Sequence, residues 1–373
     1  RTNYAKNVTK RLGSILSVLR DAGVLAEAVL SIQTYDQSTL STIGRRNVTR
    51  QRYDTLLEEF NDQGLPIRTE VMMCLPGSTY SSFARDLQWA AERNIGVYVS
   101  WTTILPNTPM ADPAYVSSHG LTRAAESRLA EPETLERLNL KPLPPDVIVS
   151  SNTFSEEDFR TMASLSVLYS AFQTGGVLKY YMTFLAREHG ITHLHFLEGL
   201  RDRDLSSYPL LLSARNALVS LGRQPDPLLE FFAKNSWPEF YDEVREYLML
   251  SLHVGSGSGL KTVDMVQRSV IAYRGCPRTL ELQLPHDFAA YFRDVVGVKR
   301  TPGPLADYPP ASFSVTDYQG VGQIGTGSVG HADLELNSLL KPPPVNPHTA
   351  GGPQECIPKV GSDISAETTQ RAQ

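Results

Sequence analysis

Three polar side chains in the first third of the chain have the types and order needed to hold a small zwitterion. Gln33 ends an apolar run, Leu30-Ser31-Ile32-Gln33, and Arg45 follows twelve residues later in Gly44-Arg45-Arg46-Asn47. Glu70 lies in the next apolar run, just ahead of Leu75-Pro76-Gly77-Ser78-Thr79. A guanidinium meets a carboxylate through charge-assisted hydrogen bonds, and a carboxylate meets an amine or a ribose hydroxyl. A few convergent polar groups on an otherwise apolar frame are the usual make-up of a small-molecule site. A plain salt bridge between Arg45 and Glu70 would use the same residues, and their spacing does not separate the two readings.

Other patterns carry less chemistry. Gly255-Ser256-Gly257-Ser258-Gly259-Leu260-Lys261-Thr262 resembles a phosphate loop but has Leu260 where glycine must precede the lysine, and a helix rather than a strand is expected before it. It reads as an inter-helix loop. His193 and His195 alternate as two histidines on one face of a strand would, but no third ligand stands at a telling distance, so they read as core or solvated residues. Cys74, Cys276 and Cys356 are too far apart for a disulfide framework or a CxxC metal motif. No metal ligand is assigned, and no Ser/His/Asp elbow is visible. Trp89, Trp101 and Trp237 are expected in the core, and Asn47-Val48-Thr49 is taken as a chance match to a glycosylation acceptor.

Alternating elements must position the three polar residues. Helical spacing is expected over 6–22, 38–44 and from Thr49 to Phe60, where Tyr53, Leu56, Leu57 and Phe60 share a face. Strands are expected near 29–32, over Ile67–Met73 and over Gly96–Thr103, with a helix capped by Thr79 or Ser81 between the last two. Strands alternating with helices indicate parallel βα units, which hold ligands at the carboxyl ends of their strands. Gln33, the 74–78 turn and the 104–110 loop stand at those ends. From 111 to 153 the sequence is polar and Pro-rich, and from Ser155 to about Tyr273 it is mostly helical, opened by a cap and three acids at 155–158. A strand is expected over Thr279–Leu284 and a last helix over His286–Val295. The region beyond about 300 is rich in Gly and Pro and reads as disordered.

With 35 basic against 40 acidic residues and a net charge of −5, a strongly basic nucleic-acid or membrane surface is excluded as the main theme. No apolar run approaches the ~18 residues of a membrane span, and no secretory leader is visible. A cytoplasmic protein with reduced thiols is expected. The chain starts at Arg1, which suggests a fragment or a processed piece.

The same residues resemble the second half of a radical SAM domain, of the group with an upstream cobalamin-binding domain. Thr2-Asn3-Tyr4-Ala5-Lys6-Asn7 is similar to the family's lead-in helix. Leu30-Ser31-Ile32-Gln33, Leu40 and Arg45-Arg46-Asn47 resemble its SxQ…L…RxN strand and helix. Glu70 with Leu75-Pro76-Gly77-Ser78-Thr79 resembles its (D/E)xxxGLPGxT strand and turn, with Cys74 where the family has glycine. Leu105-Pro106-Asn107-Thr108-Pro109-Met110, followed by Pro113 and Tyr115, resembles its LPNxPMxxPxY loop. Four motifs in order over about residues 1–120 make the match specific; the 155–295 region resembles the family's C-terminal part more loosely.

The resemblance implies an α/β fold: a partial (β/α)6 barrel of which this chain holds about three βα units, followed by a mostly helical domain and a disordered tail. The expected boundaries are 1–120, a linker over 121–154, the helical domain over 155–298 and the tail over 299–373. It places Gln33, Arg45 and Glu70 near S-adenosylmethionine, with Pro106 and Asn107 on the substrate side. It also implies a 4Fe-4S cluster and cobalamin in a full-length parent, but the CxxxCxxC cluster loop and the cobalamin domain are absent from this chain. The family chemistry is cleavage of adenosylmethionine to a 5′-deoxyadenosyl radical, or methyl transfer through cobalamin, on a small-molecule or peptide substrate that the sequence does not select. Half a barrel leaves a sheet edge and an apolar face uncovered, so poor solubility, dependence on the missing N-terminal half, and inactivity alone are expected. A non-catalytic adenosylmethionine-binding or protein-interaction remnant is the alternative. Another α/β barrel enzyme would need a lysine or metal ligand at a strand end, and none stands out.

Overall fold

Short runs of β-branched and apolar residues separated by amphipathic helices build the first half of the protein. The computed structural model describes residues 12–22, 28–62, 67–125, 146–220, 237–270, 278–296 and 302–317. The lead-in Thr2–Asn7, Cys276, Cys356 and the tail from 318 lie outside the described residues. Strands β1 (Ala28–Val29), β2 (Ile67–Met73) and β3 (Gly96–Trp101) form a parallel sheet in the order β1-β2-β3. Helices α1 (Leu12–Asp21), α2 (Gln37–Thr42), α3 (Arg50–Asp62) and α4 (Tyr80–Glu92) flank these strands in sequence, as the alternation predicts.

The period-2 geometry of β2 sorts its side chains between the two faces of the sheet. Thr69, Val71 and Met73 are buried, in a core that includes Tyr53, Leu56, Leu57 and Phe60 of α3 and Phe83, Leu87 and Ala90 of α4. Tyr35, Tyr53 and Trp89 form an edge-to-face trio with centroids 4.6, 5.0 and 6.3 Å apart, a geometry favoured by the ring quadrupoles. Thr79 caps α4 by accepting from the Ser82 N–H, and the Ser82 hydroxyl accepts from the Thr79 N–H in return. The opposite sheet face carries Glu70 and, paired with it in register, Tyr98, which is 53% exposed. At these positions the face leaves a carboxylate and a large aromatic ring uncovered.

The polar segment read as a connection carries structure of its own. It holds α5 (Pro113–His119), β5 (Thr122–Ala125) and β6 (Asp146–Ser150), and these two strands join β4 (Thr103–Ile104), which lies ahead of the segment, in an antiparallel sheet of order β4-β6-β5. These strands are too short for a period-2 pattern to register. The helical half follows as α6 (Glu156–Tyr169), α7 (Lys179–Glu188), α8 (His193–Asp202), α9 (Pro209–Ser220), α10 (Trp237–Ser251), α11 (Ser258–Val270) and α12 (Phe288–Val296). The expected cap is present: Ser155 accepts from the Asp158 N–H, with three acids in the first turn of α6. A π-helical turn, Ser170–Thr174, joins α6 to α7. Its Thr174 hydroxyl accepts from the Val97 N–H at 3.3 Å and donates to the Val97 carbonyl at 3.4 Å, sealing part of β3.

Strand β7 (Arg278–Leu284) pairs antiparallel with β8 (Ala311–Asp317), so the region beyond 300 is not disordered throughout. Averaged Gly and Pro content hid a seven-residue strand, whose Phe313 is buried.

Candidate functional site

A turn at the end of β1 organises the site. Val29 pairs with Arg68, but Gln33 pairs with Val71: four steps along one strand match three along the other. The extra residue is absorbed at Gln33, whose φ is +61°. Around it the Thr34 N–H donates to the Ile32 carbonyl at 2.7 Å, closing a three-residue turn. Left-handed backbone is costly for a non-glycine residue and persists only where its surroundings over-determine it. Here they do. The Asn47 side-chain amide donates to both the Ile32 and Thr34 carbonyls, one on each side of Gln33. The Gln33 N–H donates to the Glu70 carbonyl at 2.9 Å, and the Gln33 carbonyl accepts from the Met72 N–H at 2.8 Å.

Asp86 of α4 secures the next residues. Its carboxylate accepts from the Tyr35 N–H at 3.0 Å. Burial pushes this acid up to about 6, against the opposing pull of the Thr34 hydroxyl and the Tyr35 N–H.

Two of the three expected side chains meet directly. Arg45 Nη1 donates to Gln33 Oε1 at 3.1 Å. Glu70 joins them through the backbone, and its own carboxylate accepts from the Ser31 hydroxyl at 2.7 Å. Among the described residues Arg45 and Glu70 form no ion pair, so the plain salt-bridge reading fails. Both residues are exposed, leaving donors on Arg45 and acceptor capacity on Glu70 facing water.

The loops after the strands converge on Thr42, at the end of α2. Gly77 has φ +88°, and a Cβ there would stand 2.7 Å from the Thr42 hydroxyl. The Tyr115 hydroxyl of α5 reaches the Thr42 carbonyl at 3.5 Å; Pro106 and Asn107 precede that helix in the chain. Those two residues are exposed, and Asn107 is left-handed at φ +62°. The Thr153 hydroxyl donates to the Ser78 carbonyl at 2.7 Å and adds the far end of β6.

No family model matches the sequence. TokK of Streptomyces tokunonensis, a cobalamin-dependent radical SAM methyltransferase, is 30% identical over 217 residues, 54% of this chain and 30% of that protein. The 2-(S-pantetheinyl)-carbapenam-3-carboxylate methyltransferase of Streptantibioticus cattleyicolor is 27% identical over 208 residues, again 54% and 30%. This chain is related to the cobalamin-dependent radical SAM methyltransferases. It spans about 30% of the length of these curated relatives.

The radical SAM relationship gives Cys74 a physical context. The residue sits at φ +63°, in the conformation that glycine adopts without steric cost, at the position where the resemblance leads one to expect glycine. Its thiol is buried, and burial pushes its pKa up, which opposes the thiolate needed for metal binding or nucleophilic attack. Among the described residues no group of three His, Cys, Asp or Glu is placed to hold a metal ion. The described residues therefore do not fit a four-iron cluster.

His193 and His195 lie on α8, not on a strand, and two helical residues that far apart do not share a face. His193 is buried, with neither ring nitrogen hydrogen-bonded, and burial pushes it down to about 4; His195 is exposed. Sequence reasoning missed the Asn47 clamp, Asp86 and Tyr98. Asn47 ends the Arg45-Arg46-Asn47 run, but its partners are backbone carbonyls, which no side-chain pattern reveals.

Proposed function

We propose that this chain forms the adenosylmethionine-holding end of a cobalamin-type radical SAM methyltransferase. The single observation that carries the reading is the left-handed turn at Gln33, clamped by Asn47, which sets the Gln33–Arg45 pair beside Glu70 in the middle of β2. The residues fit the ligand chemically. Arg45 is an exposed cation for a carboxylate, and Glu70 is an exposed acceptor for an amine or a ribose hydroxyl.

In this reading β1–β3 and their helices are part of a (β/α)6 barrel, residues 155–298 are a C-terminal helical domain, and Pro106 and Asn107 border the substrate. Adenosylmethionine, when bound, supplies the methyl group and the radical chemistry of the family. The chain's own residues bind and orient it: Asn47 fixes the turn, Arg45 and Glu70 hold the polar ends, and Tyr98 walls the open face. The four-iron cluster and cobalamin belong to the proposal for the whole protein, as does a carbapenam-like substrate, and no step here runs through them.

Equilibrium dialysis of the 373-residue chain against labelled S-adenosylmethionine tests the reading. Saturable binding is expected, weakened at least tenfold by Arg45→Ala and by Glu70→Gln, with unchanged circular dichroism. Absence of saturable binding, or binding by both variants as tight as the parent's, would overturn it.

A further inference from the structure

In the second half of the chain, three segments bring a hydroxyl, an imidazole and a carbonyl together. Ser258 Oγ lies 2.8 Å from His286 Nε2, and His286 Nδ1 lies 3.0 Å from the Tyr308 carbonyl oxygen. A carbonyl can only accept, so Nδ1 carries the proton in that bond. In the neutral ring Nε2 then presents its lone pair and accepts from the Ser258 hydroxyl. This is the order of a nucleophile, a base and an orienting acceptor, with a backbone carbonyl in the third place.

The surroundings suit an attack on a carbonyl group. Ser258 is exposed and opens α11, a helix of 13 residues. The N–H groups of Gly259 and Leu260 lie in the first turn, ahead of the bond from the Lys261 N–H to the Gly257 carbonyl, where helices leave donors free. Such donors can stabilise a developing oxyanion. A Cβ built on Gly255 or Gly257 meets nothing within 4 Å, so the loop just ahead of Ser258 is uncrowded at both positions. On Gly259 it would press within 3.3 Å of the Phe184 ring, so glycine here lets the start of α11 pack against α7.

We propose that Ser258 and His286 form a second reactive site that accepts acyl groups from small activated esters or thioesters. Ser258 Oγ bonds to the acyl carbon as its proton passes to His286 Nε2. The bond to the leaving alcohol or thiol breaks, and that group takes the proton. Water then attacks the acyl-serine, gives a proton to Nε2, and releases the carboxylic acid as Ser258 regains its hydroxyl. No redox partner or metal is needed.

The test treats the full chain with p-nitrophenyl acetate and, separately, with a fluorophosphonate probe, and maps the adduct by peptide mass. Acetylation and phosphonylation at Ser258 are expected, abolished in Ser258→Ala. In His286→Ala the rate should fall by about 10² or more, the usual contribution of a general base. His286→Asn, smaller and polar, is run beside it, and thermal melts of every variant confirm folding. Label that maps elsewhere, no label at all, or a folded His286 variant that labels as fast as the parent would each overturn the proposal and leave His286 as a structural tether.

Discussion

Replacing Lys179 with methionine should remove a loss of stability that the protein suffers as pH falls from about 10 to neutrality. Lys179 opens α7 and is 2% exposed, with its ammonium near the Tyr180 and Phe292 rings at 6.0 and 5.8 Å. Burial pushes its pKa from 10.5 down to about 7. Above pH 10.5 the amine is neutral in both the folded and unfolded chains. Between 10.5 and about 7 the unfolded chain takes up a proton that the folded chain refuses, so stability falls as pH falls through this window. Below about 7 both states are charged and the lysine contribution is flat. At about 1.4 kcal/mol per pH unit, the full window corresponds to roughly 5 kcal/mol, and the interval from pH 10 to 7.5 to about 3 kcal/mol. Methionine fills a similar volume and carries no such slope. Urea unfolding of parent and Lys179→Met at pH 7.5 and 10 measures the difference. The variant should gain about 3 kcal/mol over the parent between the higher and the lower pH. Stability curves that stay parallel within about 1 kcal/mol would refute the argument, because Lys179 would then keep its charge on folding.

Other outcomes follow from single contacts. His193, pushed down to about 4 by burial, refuses a proton that the unfolded chain takes between 6.5 and about 4. His193→Gln should therefore flatten the loss of stability across that interval, by up to about 3 kcal/mol, as read by urea midpoints from pH 7 to 4. Gly77→Ala should cost about 1–3 kcal/mol, because the new methyl meets the Thr42 hydroxyl at a left-handed position; a melting temperature equal to the parent's would contradict this. Thr174→Val removes the one hydroxyl that meets both the N–H and the carbonyl of Val97. A loss of about 1–3 kcal/mol, with faster amide exchange at Val97, is the expected result.

Order and type of elements were legible in the first hundred residues because local signals agreed there. The α3 stripe of Tyr53, Leu56, Leu57 and Phe60, the Thr79 cap and the 67–73 run each specified one structure. Agreement weakened where elements were short or the composition was averaged. The strands at 103–104 and 122–125 are too short to show a period, and β8 lay within a Gly- and Pro-rich stretch. The alternation of His193 and His195 imitated a strand, but Thr192 accepts from the His195 N–H and caps a helix instead.

By itself the sequence determined the residue types at the candidate site and their order among the strands and helices, because motif order and hydrophobic period are properties of the chain alone. Tertiary structure decided how they meet. Whether Arg45 takes Gln33 or Glu70 depends on a one-residue excess between Val29 and Gln33, after β1, and on an amide that reaches back from Asn47. The alignment of Ser258, His286 and the Tyr308 carbonyl depends on packing among three segments remote in sequence. Backbone carbonyls are the decisive partners in both places, and every residue type carries one. Only the path of the folded chain selects which carbonyl faces which side chain.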